Sequence, residues 1–140
     1  MPNKTKSTPI NPVWLYTGIF LLAFCLRLGY QQFLKAHYLF YSSPSSDVTY
    51  YQDWATEIAK GNWLGDKTFF GLPLYPYFLA VLIRLALGHL EIVRLFHLIL
   101  GAFNCVLLFA VGKKIFSQRV GFLAAILAAS NFILIYYDWL

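Results

Sequence analysis

Few residues of this sequence have the types and surroundings to do chemistry. The first is Asp47, in the stretch SSDVTYYQDWATEIAKGNW, residues 45 to 63, a polar passage between long apolar runs. On a helical wheel, Asp47 shares a face with Tyr50, Tyr51, Trp54 and Ile58. Thr49, Gln52, Asp53, Thr56, Glu57 and Lys60 fall on the opposite face. Asp53 and Glu57 are there accounted for by water. Asp47, at the tip of the aromatic face, supports two compatible readings. It caps its helix, where Asp is favoured and the helix dipole helps. Or it is a carboxylate held at a membrane surface to act on a lipid-borne substrate, since acids at membrane level are costly and usually functional. Tyr50 and Trp54 beside it, with Tyr75, Tyr77 and Trp63, are candidates either to line a substrate cleft or to anchor the chain at the interface.

Other side chains point to less. His37, His89 and His97 lack the i, i+4 spacing of a helical zinc site. No Gly-rich nucleotide loop and no Ser-His-Asp set is visible. Asn104, Ser130 and Asn131 lie within apolar runs and are expected to hydrogen-bond between helices. Gly101 and Gly112 are expected to allow close helix packing.

These groups need elements to hold them, and the composition says of what kind. The 140 residues are 59% apolar and 12% charged. Soluble domains are nearer 45–50% apolar and about 25% charged, so the solvent is lipid. The net charge of +5 comes from residues scattered beside apolar runs, which suits topology determinants and not a nucleic-acid surface. Cys25 and Cys105 sit in apolar runs as free thiols.

The expected fold is all-α: a polytopic membrane protein with three transmembrane helices and a large external loop. Residues 1–11 form a basic cytoplasmic tail. Asn11-Pro12 gives an N-cap and a first helical residue for a span over 12–30. Cys25-Leu26-Arg27-Leu28 is no signal-peptidase site, so the span is an uncleaved anchor. Arg27 at its outer end either snorkels to headgroups or pairs with an acid. Residues 31–91 form the external loop, with a turn at Ser42 to Ser46 and amphipathic helices at 47–60 and 73–87. Gly61 closes the first and Gly88 ends the second. The 73–87 segment is short for a span and suits an interfacial helix. Further spans cover 92–112 and 120–137, joined by a cytoplasmic loop, KKIFSQR, at 113–119. Residues 138–140 begin a second external loop. Four spans would place KKIFSQR outside, against the positive-inside rule, so three are favoured and the N-terminus is cytoplasmic, in the cell (inner) membrane.

The ordered segments SSDVTYYQDWATEIAKGNWLG, FFGLPLYPYFLA and VRLFHLILGAFN resemble the N-terminal part of GT-C-type membrane glycosyltransferases, the bacterial family 39 relatives of protein O-mannosyltransferases. The resemblance runs from about Leu15 to Leu140. It implies transfer of a sugar from a polyprenyl-phosphate donor to an acceptor, a glycan, lipid or protein, on the external face of the cell envelope. It implies that Asp47 is the general base or a metal ligand, and that Arg94, Arg84 or Lys67 holds the donor phosphate. It leads us to expect a further acid in the second external loop, where Asp138 stands. A second acid often adjoins the first in this family. Here the neighbour is Val48, so that pair is absent, and a divalent metal remains an open option. Members are longer and have more spans, so 140 residues are expected to form an inactive N-terminal portion. The rival expectation is a small non-enzymatic membrane protein that binds a partner or lipid through its aromatic external loop.

The topology is directly testable. A cysteine placed at Gln118 should stay unlabelled when an impermeant thiol reagent is added from outside the cell. Labelling of intact cells would overturn the three-span arrangement.

Overall fold

The computed structural model describes residues 12–37, 46–64 and 72–139. Asn11, Lys67, Phe69, Phe70 and the turn around Pro44 lie outside them. The described residues form six helices and no strand: α1 (Pro12–His37), α2 (Ser46–Lys60), α3 (Leu74–Leu85), α4 (Leu90–Ile115), α5 (Gln118–Ser130) and α6 (Phe132–Trp139).

Two helices are long and apolar enough to cross a membrane, α1 and α4, and α5 with α6 makes a third candidate span, bent by 61°. At 1.5 Å per residue, the 26 residues of α4 reach about 39 Å, more than a bilayer core needs. Pro12 is the first helical residue of α1, as its fixed φ favours. The helix does not stop near Tyr30 but runs on through Gln31 and Leu34, both buried, to His37.

The third candidate span is broken where the sequence gives no Pro or Gly. Asn131 takes an extended conformation, and its Oδ1 accepts hydrogen bonds from the Ile133 and Leu134 amides at 3.0 and 3.3 Å. It is therefore the N-cap of α6, not the interhelical hydrogen bonder expected. Ser130 likewise bonds inside its own helix, to the Ile126 and Leu127 carbonyls.

KKIFSQR is not a loop throughout. Lys113, Lys114 and Ile115 finish α4, and Gln118 already begins α5. Only Phe116 and Ser117 turn the chain, and Ser117 Oγ caps α5 by accepting from the Val120 amide at 3.3 Å. So tight a turn needs the two helices to touch. A Cβ on Gly112 would lie 2.7 Å from Gly121 Cα, so the backbones meet where neither residue has a side chain.

The elements pack into two clusters. Ile19 and Ala23 of α1 meet Ala102, Cys105 and Phe109 of α4 and Ala125 and Ala129 of α5. Small residues dominate because in lipid close backbone approach replaces the hydrophobic drive. The second cluster joins Ala55 and Ile58 of α2 to Leu79, Ala80, Leu82, Ile83 and Ala86 around α3, with Val93 of α4. Helix α2 ends as expected at Gly61, with φ 111°, whose amide bonds the Ile58 carbonyl while the Asn62 amide bonds Glu57. After α3 the chain reverses through Leu87, φ 51°, and Gly88, φ 83°. Leu87 adopts the left-handed conformation one residue before the glycine expected to supply it.

Gly112→Ala should therefore strain the α4–α5 crossing by about 1–3 kcal/mol, the usual cost of overpacking. A lower thermal midpoint in detergent is expected. An unchanged midpoint would show that the helices do not touch there.

Candidate functional site

A cleft of about 650 Å³ opens among four helices, between the first turns of α2 and α3, the middle of α4 and the last turn of α6. Helix α2 contributes Asp47, Val48, Tyr51 and Gln52, and α3 contributes Tyr75 and Leu79. The middle of α4 adds His97, Leu100, Gly101 and Asn104, and α6 adds Tyr136, Tyr137 and Asp138. Asp47 and Asp138, far apart in the chain, thus face one space.

Asp47 lies in the first turn of α2, which begins at Ser46, and its side chain is exposed. A carboxylate there faces unpaired backbone N–H groups and the positive end of the helix dipole. Among the described residues Asp47 makes no ion pair. Asp138 is placed differently. Arg27 of α1 is 2% exposed, and its Nε donates to Asp138 Oδ2 at 2.7 Å, while its Nη1 donates to the Ala23 carbonyl at 3.2 Å. Of the two readings of Arg27, pairing with an acid is the one the fold adopts. Asp138 still borders the cleft while one of its oxygens is committed to the guanidinium.

Aromatic rings form the wall between the two acids. Tyr51 and Tyr75 pack edge to face with centroids 5.8 Å apart, and Tyr75 lies 6.3 Å from the His97 ring. Partial burial pushes the Tyr75 phenol above its usual range. Tyr50 and Trp54 pack against one another at 5.9 Å outside the cleft lining, and Trp54 covers the α2–α3 cluster.

The basic candidates separate. Arg94 is half-buried and lines a small recess with Gln52, Tyr75 and His97, which shares walls with the main cleft. Its Nη1 lies 3.3 Å from Glu91 Oε1, and Glu91 also approaches Lys35 of α1 at 3.6 Å. Arg84 is exposed in the last turn of α3 and is not among the residues lining either space.

The wheel placed Gln52 on the wet face, yet it is half-buried and lines the cleft, because α3 and not only lipid covers α2. Thr56 is likewise half-buried and bonds back to the Gln52 carbonyl. Asn104 was expected between helices and instead borders the cleft. One signal for the ion pair was present in the sequence. Arg27 interrupts an apolar run, and Asp138 is the one acid after Glu91. Gly101 was expected to serve helix packing, and it does so by an unexpected route: a Cβ there would overlap the Asp138 carboxylate and lie 2.7 Å from Arg27 Nε. Among the described residues, no group of three His, Cys, Asp or Glu side chains gathers to hold a metal. Asp47 and Asp138 by themselves fall short of a complete protein donor set.

The fold and cleft define an integral, multi-pass helical membrane protein with a cleft among its helices that two carboxylates border. A family model described as dolichyl-phosphate-mannose-protein mannosyltransferase matches residues 66–139, just over half of the chain. The chain belongs to this family of glycosyltransferases. The matched segment contains Tyr75, Arg84, Arg94 and Asp138, while Asp47, Tyr50 and Trp54 precede it. Comparison with curated proteins and with solved structures returns no match.

Proposed function

We propose that the chain forms the N-terminal portion of a glycosyltransferase that moves a sugar from a polyprenyl-phosphate donor to an acceptor hydroxyl at the external membrane face. The observation that carries this is the convergence of Asp47 and Asp138 on one aromatic-walled cleft bordered by the middle of the spanning helix α4. A lipid-borne sugar needs a site at that depth, with rings for its apolar faces and polar groups for its hydroxyls.

Asp47 is the general base. It is exposed to the cleft, so an acceptor hydroxyl can reach it. As the acceptor oxygen bonds to the anomeric carbon, its proton passes to the Asp47 carboxylate. The bond from that carbon to the phosphate oxygen breaks, and the lipid phosphate leaves with the electron pair. Attack from the face opposite the leaving group inverts the anomeric centre. Arg94, in the recess beside Tyr75 and His97, is the cation that takes the departing phosphate. The Tyr75 hydroxyl donates a hydrogen bond to a ligand oxygen.

Orientation follows from charge. Lys113, Lys114 and Arg119 lie at the far end of α4 and the start of α5, opposite the cleft. With that basic end in the cytoplasm, the cleft opens outward.

Asp47→Asn keeps the shape and removes the base. Placed in the full-length enzyme, it should lower transfer from a polyprenyl-phosphate sugar at least ~100-fold, the low end for loss of general base catalysis, with membrane insertion unchanged. Wild-type transfer by this variant would remove Asp47 from the chemistry.

A further inference from the structure

We infer that Arg27 is a positioning residue that holds Asp138, and with it the α6 wall, in the cleft, and that Gly101 makes this possible. The catalytic part of the inference rests on the function proposed above. The structural part stands alone.

Three helices supply the device. Arg27 lies within α1, where an unpaired charge would be expensive, and it is 2% exposed. Its partner comes from α6, which follows a 61° bend, so α6's direction is not inherited from α5. Among the described residues, Arg27–Asp138 is the ion pair that ties α6 to the rest of the molecule. Tyr136 and Tyr137 precede Asp138 and line the same cleft, so the tie places that wall as well.

Gly101 of α4 is the third part. The ion pair occupies the volume in which any other residue would carry its side chain. A Cβ at Gly101 would sit 2.6 Å from Asp138 Cγ and 2.7 Å from Arg27 Nε. Neither neighbour can give way cheaply, because each is committed to the other at 2.7 Å. One turn further along α4, the buried Cys105 thiol packs against the same guanidinium and bonds the Gly101 carbonyl at 3.6 Å. Cys105 thus reports on whether the device is closed.

The test uses that thiol. In a Cys25→Ser background, labelling of Cys105 by N-ethylmaleimide in detergent is followed for wild type, Gly101→Ala and Arg27→Lys, the last keeping the charge but losing the Nε donor. Sugar transfer is measured for the same substitutions placed in the full-length enzyme. Both variants should expose Cys105 and label at least ~10-fold faster, as local opening becomes easier. Where transfer is measurable, kcat should fall by ~10²-fold, with KM for the donor changed little, since misplacing a site group penalises the transition state more than ground-state binding. Should Gly101→Ala fail to fold, Arg27→Lys decides. Cys105 protection and transfer both at wild-type levels would overturn the inference. Faster labelling with unchanged kcat would reduce Arg27 to a structural tie and overturn its positioning role. The proposed function fails separately: full transfer by Asp47→Asn refutes that reading whatever Cys105 does.

Discussion

A guanidinium inside a membrane helix must find an anion or retreat to the headgroups, and Arg27 finds Asp138. The rest of the site depends on that pairing. Removing one partner of a buried pair leaves an uncompensated charge, commonly a penalty of about 3–5 kcal/mol. The pair joins the first helix to the last, across Gly101 of α4. It therefore constrains three helices at the depth where the cleft begins. The break at Asn131 serves the same end. A straight helix from Gln118 would carry Asp138 along the α5 axis, whereas the capped bend lets α6 turn back across α1 and α4.

Glycine works in two distinct ways along α4. At Gly112 it lets backbone meet backbone, so that the α4–α5 hairpin closes with Phe116 and Ser117 alone between the helices. At Gly101 it makes space for charge. The first use is usual where helices associate in lipid without a hydrophobic drive. The second is a constraint from the site, since polar groups in a dry setting must be matched in position as well as in number.

Much of the fold was legible in the sequence because the bilayer imposes a length and a polarity. Five apolar or amphipathic runs predict the helices, with α5 and α6 together on the last of them, and Gly61 closes α2 through the hydrogen bonds its position implies. What escaped was whatever depends on a neighbour. Gln52 is polar and falls on the wheel's wet face, but α3 makes that face a cleft wall. Asn131 is one more polar residue in an apolar run until its cap is seen. Arg27 was legible as a demand for an anion, and Asp138 as a rare supply, but only the bend at Asn131 brings the two together. Gly101 carried no signal of its own, because the groups that need its missing side chain lie on other helices.

The cleft sits on the seam between the two packed clusters. Asp138 belongs to the span cluster through Arg27, which lies one turn beyond Ala23 on α1. Asp47 belongs to the α2–α3 cluster, which reaches the spans through Val93 of α4. The separation of the two acids is thus set by how one cluster rests on the other, not by packing within either. Tyr51, Tyr75 and His97 bridge that seam ring to ring, with centroids 5.8 and 6.3 Å apart and none of the small-residue interlock that fixes the spans. Flat rings can slide with little loss of contact, whereas interlocked small residues cannot. One acid is pinned by charge inside the membrane helices, and the other rides on a surface unit that rests against them.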